Sequence, residues 1–131
     1  MGTRFLLITA ATALALASGR GHAHHSFAVH YDSSKPTTKE GVVTEFRFTN
    51  PHGILMLDVT NARGEKERWT VETTSPTYMR RSGWTRDMIK AGDHVIVDGW
   101  AARDGSRLMR IRTVKRPDGT TIGGRQEAGD Q

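Results

Sequence analysis

The chain has 131 residues, of which 36% are hydrophobic and 25% charged, close to the average for a folded globular domain. This length allows one modest core and excludes an enzyme built from separate nucleotide-binding and substrate domains. The formal net charge is +5, but basic and acidic residues are interspersed, so no nucleic-acid-binding stripe is indicated. Cysteine is absent, which excludes a disulfide and a thiol nucleophile and leaves nitrogen and oxygen as metal donors.

The first 23 residues have the pattern of a secretory signal peptide. Arg4 precedes an apolar run at residues 5 to 17, which is too short to span a bilayer as a helix and is followed by small residues. Two positions fit the small-x-small cleavage rule, one releasing Ser18 and the other, which we favour, releasing His24. We therefore expect a periplasmic or secreted protein with no membrane span after cleavage and with His24 as its first residue.

Residues 24 to 38 lack a sustained periodicity and are predicted to form an extended arm that docks on the domain. Phe27 and Val29 lie two positions apart, as an added edge strand requires. The barrel domain is predicted over residues 39 to 122, and residues 123 to 131 are predicted to be a flexible tail.

Five segments of alternating apolar and polar residues predict five strands. They cover residues 39 to 48, 54 to 60, 67 to 72, 94 to 101 and 107 to 114. Ser75 and Thr85 can each cap a short helix between the third and fourth strands. Three strands, a helical connection and two strands predict an all-β fold with one or two short helices, a five-stranded Greek-key barrel of the OB type. An antiparallel sandwich is the alternative.

Five short motifs occur in one order along the chain. They are His24-His25-Ser26-Phe27, Asn50-Pro51-His52, Ser75-Pro76, Gly83-Trp84 and Ala91-Gly92-Asp93. Together they resemble a family of small exported bacterial proteins of unknown function, and the resemblance extends from about residue 23 to residue 122. It implies export and a β-rich fold but no established activity.

The histidines suggest a metal site. Cleavage before His24 creates a free amine beside the imidazoles of His24 and His25, and nitrogen donors of this kind suit Cu(II). His52 follows Pro51, whose fixed φ stiffens the turn, and can complete a site similar to a histidine brace. The sequence therefore predicts copper binding by His24, His25 and His52, in a protein that handles metal and has a copper-trafficking protein as a partner. The alternative is that these histidines are structural or have no role.

Three further side chains are weaker candidates for the metal site. Glu72 is interpreted as a solvated or cap-pairing carboxylate, with an outer ligand or hydrogen-bond acceptor as the alternative. His94 is predicted to be a surface residue at a strand end, and His30 an extra ligand with weak support.

The second functional hypothesis is a binding module without metal. OB-type barrels hold oligonucleotides or sugars on a strand face, and export favours an oligosaccharide of the cell envelope over nucleic acid. Trp69 and Trp100 are the candidate stacking residues, although core packing is the simpler interpretation. The chain has no Gly-x-Ser-x-Gly elbow and no phosphate-binding glycine loop, so the sequence favours binding over catalysis and assigns no catalytic residue.

Overall fold

The structure is a computed structural model that describes residues 26 to 128. One short helix, α1 (Ser26–His30), precedes the first strand. The strands are β1 (Tyr31–Arg47), β2 (Ile54–Thr60), β3 (Lys66–Glu72), β4 (His94–Ala102), β5 (Leu108–Lys115) and β6 (Thr121–Ile122). Helix α2 (Pro76–Arg81) and a single 3₁₀ turn (Arg86–Met88) lie between β3 and β4.

The five longer strands close into a ring. β1 pairs antiparallel with both β2 and β4, β2 pairs with β3, and β4 pairs with β5. A short parallel ladder between β3 and β5 completes the ring. The order β1-β2-β3-β5-β4 confirms the predicted OB-like all-β fold with short helices.

Strand β1 is longer than predicted because it serves two neighbours in succession. Its first part pairs with β4 and its last part with β2, and a bulge between Val43 and Glu45 bends the strand where the partners change. Residues 31 to 38, predicted as an arm, therefore belong to the barrel. Pro36 is accommodated because this part of β1 has a neighbouring strand on one side only.

Helix α1 replaces the predicted edge strand. Phe27 is buried, with its ring centroid 5.5 Å from that of Tyr31 and 5.3 Å from that of Trp100. Val29 is 64% exposed, so the prediction that it anchors the segment is wrong. The reason is geometric, since residues two apart on a helix point about 200° apart.

The core fills the inside of the ring. Alternate residues of each strand point inward, as the period-two pattern predicted. The main cluster includes Leu55, Leu57, Val71, Val95, Val97, Met109 and Ile111. Trp84, from the helical connection, packs into this cluster at 1% exposure, and Trp100 packs with Phe27 in a smaller one. Trp69 is half-buried, and the ammonium of Lys39 lies 4.1 Å from its ring centroid.

The segment after β6 packs onto the barrel. The indole Nε1 of Trp84 donates to the carbonyl of Gly124 at 2.8 Å, and the buried Gln126 side chain accepts from the backbone N–H of Thr74 at 2.9 Å. Gly123 has φ +62°, and a Cβ there would collide with the Trp84 ring. The expected tail therefore begins later than residue 123, because residues 123 to 126 are held by these contacts.

Candidate functional site

One cavity of about 320 Å³ lies where helix α1, the β1–β2 loop, the end of β3 and the start of β5 meet. We call it the His52 cavity. Its lining residues are Phe27, His30, Tyr31, His52, Glu72, Leu108 and Arg110. Phe27 and Leu108 form an apolar wall, whereas Tyr31, His52, Glu72 and Arg110 form a connected polar group. The cavity therefore combines apolar surface with a few convergent polar side chains, as ligand sites do.

Glu72 is the centre of the polar group. It is the last residue of β3, and the parallel ladder places it opposite Arg110 of β5. Arg110 Nη1 donates to Glu72 Oε1 at 3.2 Å, and the Arg110 side chain is only 4% exposed against 22% for Glu72. The carboxylate thus offsets the charge of a buried guanidinium.

Tyr31 binds the other oxygen of the same carboxylate. It is the first residue of β1, it is 3% exposed, and its hydroxyl donates to Glu72 Oε2 at 2.5 Å. Burial raises the pKa of Tyr31 well above its ordinary value of 10.0, and the hydrogen bond to Glu72 and the charge of Glu72 raise it further. Tyr31 is therefore a hydrogen-bond donor in this site.

His52 reaches the cavity from the β1–β2 loop, which the neighbouring Gly53 attaches to the barrel. Gly53 N–H donates to the Thr74 carbonyl at 3.3 Å, and Thr73 N–H donates to the Gly53 carbonyl at 2.9 Å. A Cβ on Gly53 would lie 2.6 Å from Thr73 Oγ1, so only glycine allows this close approach.

The two ring nitrogens of His52 have different surroundings. Nδ1 is in hydrogen-bond contact with Glu72 Oε1, and the side chain is 27% exposed. Within residues 26 to 128, Nε2 makes no hydrogen bond. One nitrogen is thus held by a carboxylate while the other stays available as a donor atom.

The structure brings together only part of the predicted metal site. His52 lines the cavity with His30, whereas His24 and His25 lie outside the described residues. His94 is at the surface, as predicted, with its Nε2 3.1 Å from Glu40 Oε1. Within the part of the chain that the structure describes, no three histidine, aspartate or glutamate side chains are arranged to hold a metal ion.

Sequence reasoning missed two members of the polar group. Tyr31 and Arg110 lie 41 and 38 residues from Glu72 along the chain, and only strand register brings them together. Glu72 has two interpretations from the sequence, a solvated carboxylate and a hydrogen-bond acceptor for a metal-binding residue. Its contact with His52 fits the second better than the first.

Comparison with known proteins identifies the family. The model of DUF6152, a family of unknown function, matches residues 11 to 110. The protein belongs to the DUF6152 family. This confirms the predicted membership of a family of unknown function, and the matched DUF6152 region contains every residue that lines the His52 cavity.

No curated protein and no solved structure matches this DUF6152 chain. Among residues 26 to 128 there is no helix with the length and apolar character needed to cross a membrane.

Proposed function

We propose that the protein is exported to the periplasm and binds a metal ion through His52 together with His24 and His25. Copper is the metal that we expect it to prefer. The observation that carries the proposal is the His52 ring, with Nδ1 against a carboxylate and Nε2 without a hydrogen bond in the described chain. Metal-binding histidines in proteins usually have this arrangement, in which the second ring nitrogen donates to a carboxylate.

Chain connectivity supports the participation of the two earlier histidines. Phe27 lines the cavity, and only two peptide units separate it from His25. Two peptide units span at most about 7 Å between Cα atoms, so the length of the chain allows His25 to reach the cavity. Processing before His24 would add a terminal amine, which binds metal once it loses its proton.

The donor atoms favour copper over other divalent ions. Imidazole and amine nitrogens prefer Cu(II), which stands above the other first-row divalent ions in the affinity order. Both oxygens of Glu72 are already engaged by Tyr31, His52 and Arg110, so the cavity offers few oxygen donors to a harder ion such as Mg²⁺ or Mn²⁺.

The test is a Cu(II) titration of protein that begins at His24, followed by electron paramagnetic resonance. We expect one saturable site with nitrogen hyperfine structure, and an affinity above that for Zn(II). His52→Ala should weaken binding by about 100-fold, whereas His94→Ala, which removes a histidine outside the cavity, should leave it unchanged.

A third sample contains one extra alanine before His24. It keeps every imidazole but displaces the terminal amine, so a loss of affinity would assign that amine as a ligand. The absence of a saturable copper site in the His24 protein would overturn the proposal. Equal affinities of the His52→Ala variant and the wild type would remove His52 from it.

The position of the cavity favours a second candidate, a binding module for an oligosaccharide of the cell envelope. OB-type barrels bind such ligands at the β1–β2 loop and the β4–β5 loop. The His52 cavity lies at the first of these loops and at the start of β5, directly after the second. Trp100 is buried under Phe27, which leaves Phe27 and Leu108 as the apolar contact surface.

Nuclear magnetic resonance titration of the metal-free protein with peptidoglycan fragments tests this candidate. We expect shifts of the Phe27 and Leu108 resonances, with no change at Val42, which lies at the other end of the β1–β4 ladder from Tyr31. No shift at millimolar ligand would rule out this class of ligand.

A further inference from the structure

The Glu72 carboxylate has donors on both of its oxygens. Tyr31 donates to Oε2 at 2.5 Å, while Arg110 donates to Oε1 at 3.2 Å and His52 Nδ1 contacts the same oxygen. These three groups come from β1, from β5 and from the β1–β2 loop. The carboxylate is thus fixed in rotation by contacts from three different parts of the barrel.

The contact with His52 determines where the ring carries its proton. A carboxylate oxygen can only accept, so the nitrogen that faces it must carry the hydrogen. In the neutral ring the lone pair is then on Nε2. Since Tyr31 and Arg110 hold the Glu72 carboxylate in its orientation, this tautomer is imposed by the fold.

We infer that Glu72 is a positioning residue that makes Nε2 the donor atom of His52 and that Tyr31 and Arg110 prevent Glu72 from becoming a ligand itself. The metal-binding consequence rests on the proposed function, whereas the tautomer belongs to the metal-free protein. Without Glu72 the ring can rotate and place its proton on Nε2, where the proton would block metal binding.

The inference also concerns specificity. A free carboxylate beside His52 would supply oxygen donors and widen the site to harder ions. With both oxygens engaged, the donors are restricted to nitrogen. Tyr31→Phe releases Oε2, so this variant should bind Mn²⁺ more tightly than the wild type.

The first experiment uses metal-free protein labelled with ¹⁵N at histidine, at a pH where the rings are neutral. Long-range ¹H–¹⁵N correlation spectra report the tautomer of each ring, and the His52 signals are assigned by their loss in His52→Ala. We expect the Nδ1–H form in the wild type and mainly the Nε2–H form in Glu72→Ala.

Two isosteric variants serve as controls. Glu72→Gln keeps a carbonyl oxygen that can accept from Nδ1–H, so it should retain the tautomer with a weaker hydrogen bond. Glu67 also lies on β3 and pairs at 3.2 Å with Arg107, the residue before β5, and its side chain has the same 22% exposed fraction as that of Glu72. Glu67→Gln should therefore leave the His52 spectrum unchanged.

Two results would overturn the inference. One is an Nε2–H tautomer of His52 in the wild type. This result would show that Glu72 does not impose the Nδ1–H tautomer, even if Glu72→Ala does not fold. The other is a folded Glu72→Ala protein that retains the Nδ1–H form.

The second experiment measures Cu(II) affinity in the same variants. Glu72→Ala should lose about 10- to 100-fold, Glu72→Gln should recover part of this loss, and Glu67→Gln should match the wild type. Failure of the wild type to bind copper would refute the proposed function while the tautomer data still stand. Copper binding that depends on His52 but not on Glu72 would refute the inference and leave the proposed function intact.

Discussion

Within residues 26 to 128, two histidine–carboxylate pairs have very different surroundings. His94 and Glu40 lie on the adjacent strands β4 and β1, 3.1 Å apart, with side chains 51% and 58% exposed. His52 and Glu72 have side chains 27% and 22% exposed and line a cavity. The same two residue types therefore form a solvated cross-strand pair in one place and part of a polar group in the other.

The two pairs differ in the number of partners that the carboxylate has. Glu40 contacts water and one imidazole, and an exposed ion pair of this kind contributes little to stability. Glu72 also binds the buried guanidinium of Arg110 and the buried hydroxyl of Tyr31. Removing Glu72 takes one acceptor from each of those groups, so its loss costs more than the histidine contact alone.

The largest expected effect comes from removing the buried carboxylate. Glu72→Ala should lower the free energy of unfolding by about 2 to 3 kcal/mol, at or just below the lower end of the range for a broken buried pair, because Glu72 is partly exposed. Urea denaturation monitored by tryptophan fluorescence measures the loss. Glu40→Ala is the matched variant and should change stability by less than about 0.5 kcal/mol. Equal losses in the two proteins would contradict the comparison.

The next effect comes from the loop that carries His52. Gly53→Ala places a methyl group 2.6 Å from Thr73 Oγ1 and 3.0 Å from the Arg47 carbonyl, so the loop must shift at a cost of about 2 kcal/mol. The double variant with Thr73→Ala should be less destabilised than the sum of the single variants. If the losses in the free energy of unfolding of the two single variants simply add in urea denaturation, the contact with Thr73 is not the cause of the destabilisation by Gly53→Ala.

Tyr31→Phe should have a smaller effect, about 1.5 kcal/mol at neutral pH, because it removes one hydrogen bond to a charged acceptor. The effect depends on pH. The pKa of Tyr31 is raised in the folded protein, so above pH 10 the unfolded chain ionises first and the wild type loses stability. The variant lacks this contribution, and the difference between the two proteins should shrink as pH rises above about 10. A constant difference in the urea midpoint across this range would contradict the role given to Tyr31.

The smallest effect is expected at the exposed pair. His94→Ala should change the free energy of unfolding by less than about 0.5 kcal/mol at low ionic strength, and 1 M salt should abolish the change because such charges are screened. A clear loss that persists in 1 M salt would show that His94 has a structural role.

The sequence predicted the barrel well where local patterns decide. β2 has its predicted limits, and β3 and β4 differ from theirs by one residue at one end, because alternation and flanking turns fix a strand without reference to its neighbours. The start of β1 and helix α1 were not predicted. Residues 31 to 38 carry Pro36 and little alternation, and their strand conformation comes from pairing with β4.

The site was predictable only in part, because its contacts also depend on pairing between strands that are distant in the sequence. His52 could be selected because it stands in a turn after Pro51, where a polar side chain is displayed. The contact of Glu72 with Tyr31 and Arg110 depends on the register of a ladder between strands far apart in the chain, which no local pattern encodes.

The β3–β5 ladder has a consequence for folding kinetics. It contains three residue pairs, and its last pair, Glu72 with Arg110, joins segments 38 residues apart. Hairpins close quickly, whereas a contact of such separation must first overcome the entropy of a long loop. We therefore expect the cavity to assemble late, when the two ends of the sheet meet. The Thr70 N–H donates to the Arg107 carbonyl at 2.9 Å at the start of this ladder, so its hydrogen exchange would report how often the ring opens, and each opening would separate Glu72 from Arg110.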